Sequence, residues 1–141
     1  MSGCKTYRIE LLQRYEDSFE KLIAEHYRRN NKGKKKFEDL ITAYINNELR
    51  IKPLDNNTSD SETFPPKSAK EGYFFRKKRW RNLPDLQGSE KWGRLIYVVA
   101  PSECVVYLVW IYTHKQYERR PPDSSLKQDL CEIYEKVKAD I

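Results

Sequence analysis

The residues best suited to chemistry lie in the second half of the chain. His114 and Tyr117 stand three apart at the end of a long apolar run, and Arg94 opens the apolar run before it. A histidine with an ordinary pKa of about 6.5 can take or give a proton near neutrality. A phenol can donate to an oxygen, and a guanidinium has the fork geometry that suits a phosphate. Ahead of them, residues 76–81 read RKKRWR. Arg76, Lys78 and Arg79 are candidates to track a phosphate backbone, and Lys115 adds a cation beside His114. Trp80 or Tyr112 could hold an unstacked base, worth roughly 1–3 kcal/mol. Together these side chains suit a polyanion, and RNA is the first candidate. No Cys or His sits at metal-ligand spacing.

Plainer readings stand beside each of these. A lone histidine at a strand end is more often a surface residue than a catalyst. A basic run is also what keeps an edge strand soluble. Residues 32–36, KGKKK, read as a solvated helix start, although cations there oppose the helix dipole. His26 falls on an apolar helix face and reads as a core-edge residue.

The totals narrow the class. The chain has 141 residues, 38% hydrophobic and 34% charged, which predicts one domain over 1–141 with a modest core. The formal net charge is +6, and its uneven distribution says more than its size, since residues 55–62 are acidic and polar. Net charge argues about partners rather than fold. Cys4, Cys104 and Cys131 are an odd, scattered set, which fits a reducing cytoplasm better than a disulfide framework. No stretch has the length of a signal or a membrane span.

These side chains need elements to position them. Residues 6–12 alternate as a first strand. Phe19, Leu22, Ile23, His26 and Tyr27 then fall on one helix face, with Asp17 or Ser18 as the cap. Phe37, Leu40, Ile41, Tyr44, Ile45 and Leu49 mark a second helix. Residues 53–70 read as a mobile loop. Three strands follow at 73–81, 93–100 and 105–114, the last two joined by a short turn at 101–104. A last helix over 123–141 has an apolar stripe of Leu126, Leu130, Ile133, Tyr134, Val137 and Ile141. That stripe reads as docked core, the alternative being contact with another protein or with a second copy in a homodimer. The expected class is α+β, an amino-terminal strand and a helical hairpin packed on an antiparallel sheet, with an extra carboxy-terminal helix.

This order resembles the RelE/ParE/HigB superfamily of toxins from type II toxin–antitoxin pairs. The string VWIYTHKQYERRP (109–121) is similar to the end of the last core strand in HigB-type toxins, where Thr-His-x-x-Tyr follows an apolar strand. WGRLIYVV (92–99) is similar to the strand before it, and the LPDLQG turn (83–88) to the approach to that strand. The resemblance implies a RelE-like fold and an endoribonuclease that cuts messenger RNA, typically on the ribosome, inhibited by an acidic antitoxin. The ParE branch implies poisoning of DNA gyrase instead, and a non-catalytic binding protein on the same fold is a further alternative. Arg94, His114 and Tyr117 are the catalytic residues so implied, for attack of the ribose 2′-hydroxyl on the adjacent phosphate. That reaction needs in-line geometry, a proton acceptor, a proton donor for the leaving oxygen and positive charge at the phosphorus, and no metal or cofactor. This chain departs from the family at Tyr112, where a glycine is frequent. A tyrosine there would crowd a pocket or supply a stacking face.

Overall fold

The structure is a computed structural model that describes residues 3–139. One five-stranded sheet organises it, in the spatial order β1-β5-β4-β3-β2. The strands are β1 (Arg8–Leu11), β2 (Asp60–Ser61), β3 (Phe74–Trp80), β4 (Gly93–Ala100) and β5 (Val105–Thr113). The helices are α1 (Gln13–His26), α2 (Asn31–Tyr44) and α3 (Asp123–Ala139). The α+β class is as expected. The sheet, however, is mixed rather than antiparallel, because β1 runs parallel to β5, with Arg8 opposite Val105 and Leu11 opposite Leu108.

Each face of the sheet has its own apolar layer. On one face Leu95, Tyr97, Val99, Val106, Leu108 and Ile111 meet the α1–α2 pair through Leu22, Tyr27, Phe37 and Ile41. On the other, Ile96, Val98, Ala100, Tyr107 and Trp110 meet Leu126, Leu130 and Ile133 of α3. The α3 stripe is therefore docked core in this respect. Ile141 lies outside the described residues, as does the side chain of Val137. A β-bulge between Ile96 and Tyr97 pairs them with Trp110 and Leu108, leaving Val109 as the extra residue. Both Val109 and Trp110 then join the α3 layer, as a bulge allows.

Three local expectations are corrected. First, α1 begins at Gln13 with Leu12 as its N-cap and no side-chain cap, so neither Asp17 nor Ser18 caps it. Ser18 is buried inside the helix instead. Its hydroxyl donates to the Tyr15 carbonyl and accepts from the Ile111 amide at 3.0 Å. That amide lies on β5 beyond the last residue that β1 pairs, so the serine supplies the acceptor that a strand otherwise would. Second, the second helix does not run regularly to Leu49: α2 is capped by Asn30, which accepts from the Gly33 amide at 2.9 Å, and widens into a π-helical turn at Ile45–Leu49. Third, Cys4 and Cys104 form a disulfide with Cα atoms 5.7 Å apart, against the expectation of reduced thiols. Cys131 is exposed and free.

The segment 53–70 is tied down rather than loose. The Tyr97 phenol donates to the Pro53 carbonyl at 2.9 Å and also bonds the Ser59 hydroxyl. The Tyr44 phenol donates to the Thr58 carbonyl at 2.8 Å. Arg76 donates to the Ser59 hydroxyl and to the Ser59 and Asp55 carbonyls. Polar composition suggested mobility; here the polar atoms are used to satisfy one another under the sheet edge. Among the described residues no helix is long and apolar enough to cross a membrane.

Candidate nucleic-acid interface

Strand alternation sorts the basic run. Successive side chains of a strand point to opposite faces. Phe75 belongs to the α3 layer, so Lys77 and Arg79 share its face, while Arg76, Lys78 and Trp80 turn toward α1–α2. Register then aligns Arg79 with Arg94 and Arg94 with Tyr112 in one cross-strand row. One step along the same face, Trp92 precedes Arg94, and its carbonyl accepts from the His114 amide at 2.9 Å. The rings of Trp92 and His114 meet edge to face at 5.2 Å.

The row opens into a cleft of about 430 Å³ lined by Arg79, Trp80, Arg81, Trp92 and Arg94. No carboxylate lines it. Its entrance is held by the 82–92 connection. The Leu83 amide donates to the Lys91 carbonyl at 2.8 Å, and the Tyr27 phenol donates to the Pro84 carbonyl at 2.8 Å. Gly93 matters here because an added Cβ would stand 2.9 Å from the Leu83 side chain. Only glycine lets Leu83 close under the strand start and leave Trp92 and Arg94 on the open face. Trp92 keeps 39% of its surface exposed.

The electrostatics suit an anion. Burial lowers the Arg94 guanidinium from its ordinary value; the Tyr112 phenol opposes that shift and Arg79 adds to it. Arg94 Nη1 donates to the Gly93 carbonyl at 3.1 Å. Arg79 is paired with Asp60 at 3.1 Å, on an exposed edge where such a pair is weak.

The predicted residues divide. Arg94, Arg79 and Trp80 contribute to the cleft. Arg76 does not: it is buried at 6% exposure and spent on the 55–59 segment. Lys78 lies over the rings of Tyr44 and Trp80, at 5.3 and 5.7 Å, on the α1–α2 side. Tyr112 is fully buried, so it offers no face for a base. Its phenol donates to the Arg119 carbonyl at 3.4 Å and is raised well above its ordinary pKa, by burial first and then by Glu62. Tyr117 packs edge-on against Tyr112 and Trp110, at 5.6 and 5.7 Å. His114 has a buried Nδ1 without a hydrogen-bond partner. Lys115 is exposed and paired with Glu90 at 3.2 Å.

Two residues of the cleft were missed. Arg81 continues the odd-numbered alternation of Lys77 and Arg79, and Trp92 lies two before Arg94. Both could have been found by carrying the two-residue period past the strand ends. His26, read as a core-edge residue, is also more than that. Its side chain is 4% exposed, its Nε2 lies 3.1 Å from the Thr113 hydroxyl, and its Nδ1 lies 3.9 Å from Glu90. Burial lowers its pKa, against the pull of Glu90 and Glu25. It locks α1 to the end of β5 and to the turn that leads into Trp92.

Fold and cleft thus define an α+β protein with a basic, tryptophan-walled surface at one end of its sheet. No family model, no curated protein and no solved structure matches the chain.

Proposed function

We propose that this protein is a RelE-like toxin that binds single-stranded messenger RNA in the Arg79–Arg94 cleft and cleaves it without a metal, on the ribosome. The observation that carries the reading is the cleft itself: three arginines and two indoles with no acidic lining, with the His114 ring edge-on to Trp92. Arginines neutralise phosphates while aromatic faces hold unstacked bases. In the reaction, the 2′-oxygen attacks the adjacent phosphorus and the 5′-oxygen leaves, giving a 2′,3′-cyclic phosphate and a free 5′-hydroxyl. Arg94 stabilises the charge that builds on the phosphoryl oxygens. His114 accepts the 2′-hydroxyl proton, and Tyr117 donates to the leaving oxygen. An acidic antitoxin is the expected inhibitor, since its charge complements the same surface.

The test is induced expression with 5′-end mapping of messages on translating ribosomes. Arg94→Ala and His114→Ala should each relieve growth arrest and remove the new ends. Intact messages and normal growth with folded wild-type protein would rule the toxin reading out.

One observation favours a second reading, a non-catalytic RNA-binding protein on the same fold. Tyr117 turns its ring against Tyr112 and Trp110 rather than lining the cleft. RNA binding with steep salt dependence and no cleavage product would select it.

A further inference from the structure

The acidic stretch 55–62 lies along β3 and answers its cations in turn. Asp60 pairs with Arg79, and Glu62 sits between Lys77 Nζ at 3.3 Å and Arg120 Nη1 at 3.0 Å. The Glu62 contacts are not ordinary surface pairs. The side chains of Lys77, Glu62 and Arg120 keep only 7%, 15% and 18% of their exposure. Burial lowers the Lys77 ammonium from its ordinary value, and Glu62 works against that shift. Arg120 is further fixed by the Thr63 carbonyl at 2.6 Å and by Asp123 at 2.9 Å. Around this group opens a cleft of about 490 Å³, with Arg119 and Lys77 in its lining.

Both contacts go to one carboxylate oxygen, Glu62 Oε2, which stands between the ammonium and the guanidinium where a phosphoryl oxygen could be held. The location is also telling. Lys77 and Arg79 are two residues apart on one face of β3, about 7 Å. Arg79 lines the first cleft and Lys77 lines the second. Tyr112 stands in one cross-strand row with Arg79 and Arg94, and its phenol is also within electrostatic reach of Glu62 and Arg120. The two clefts therefore draw on neighbouring same-face positions of one strand.

We infer that the Lys77–Arg119–Arg120 cleft is a second phosphate subsite for the same RNA strand, and that Glu62 occupies it as an internal substitute for the phosphate. The inference rests on the RNA-binding reading of the first cleft. A longer strand engages the second subsite by displacing Glu62, so one anion replaces another at Lys77 and Arg120. A ligand with a single phosphate engages the first cleft alone and leaves Glu62 in place.

The experiment compares two probes by fluorescence anisotropy over a range of salt. One is a dinucleoside monophosphate, and the other a single-stranded RNA of about 8 nucleotides, within the usual span of a single-strand site. Glu62→Gln should tighten the longer RNA about tenfold, steepen its salt slope by roughly 0.7 per added phosphate, and leave the short probe unchanged. Arg119→Ala, on an exposed side chain, should weaken the longer RNA alone. It supplies the answer if Glu62→Gln fails to fold. Glu118→Gln adds the same charge on an exposed neighbour and should change neither probe. Equal tightening of both probes, or a Glu118→Gln effect equal to that of Glu62→Gln, would mean a general field and overturn the subsite. So would unchanged binding of the longer RNA in Glu62→Gln or Arg119→Ala while Arg94→Ala abolishes it; the first cleft would then stand alone. Full binding by Arg94→Ala would instead bring down the reading of the first cleft, and this inference with it.

Discussion

The β4–β5 hairpin has two ends built in opposite ways. At the turn end, Val98, Val99, Ala100, Val105 and Val106 are essentially without exposed surface, and the Cys4–Cys104 disulfide ties the turn to the start of the chain. At the open end, Arg94 and His114 are partly exposed, an imidazole nitrogen lacks a partner, and three arginines crowd one cleft. Apolar layers on both faces supply stability at the first end. The second end keeps like charges close together, which costs stability and suits a polyanion. One hairpin thus separates an end that holds the fold from an end that concentrates charge.

The largest way to break this division is to remove the disulfide. It closes a sequence separation of 100 residues. In the chain-entropy account a loop of that length is worth about 4–5 kcal/mol. Cys104→Ser should lower the urea-unfolding free energy by about 3–5 kcal/mol, while RNA affinity of the folded protein stays unchanged. A large affinity loss would show that the two ends are coupled.

The next effect is pH-dependent. Asp129 of α3 is 5% exposed, accepts from Arg14 Nε at 3.4 Å, and has its pKa raised to about 6, by burial first and against the pull of Arg14. A carboxyl raised in the fold favours the protonated form. Its contribution is present below the ordinary carboxyl range and is lost as pH rises through about 6, roughly 3 kcal/mol in all. Asp129→Asn should therefore be more stable than wild type by about 1–3 kcal/mol at pH 8, with the gap closing near pH 4. Parallel melting curves across that range would contradict it.

The smallest of the three sits between the ends. Ser18→Ala orphans the buried Ile111 amide and should cost about 1–2 kcal/mol, with faster hydrogen exchange at Ile111 and none of the change reaching the Ala100–Val105 turn. Exchange that rises equally along β5 would mean that the hairpin opens as one unit.

Much of the frame was legible. The runs 93–100 and 105–114 are dense in β-branched and aromatic residues, and the α3 stripe repeats at helical spacing, so period alone located them. Burial of charge was not legible. Arg76 looks like its neighbours in RKKRWR, but only the folded 55–59 segment supplies the carbonyls that hold it. Tyr112 was placed correctly on its strand and wrongly at the surface, because Tyr117 and the 119–120 backbone fold over it. The disulfide escaped for a topological reason: Cys4 and Cys104 become neighbours only once β1 lies parallel to β5. Of the site, Arg94 and Arg79 were read from charge and position, whereas Trp92 and Arg81 lie just past the strand ends, where only the continued two-residue period points to them.

The parallel pairing of Arg8 with Val105 also has a consequence in time. Chain synthesis delivers β1 first, then α1 and α2, and only after β2, β3 and β4 the strand that β1 pairs with. Until β5 has emerged, the first strand has no neighbour and the α1–α2 layer has no sheet to cover. Long-range pairing of this kind slows folding, because the entropy of closing the loop is spent before the contact forms. The cleft beside the far end of β5 is therefore assembled only after that strand has joined the sheet, long after the first strand and the two helices have been made.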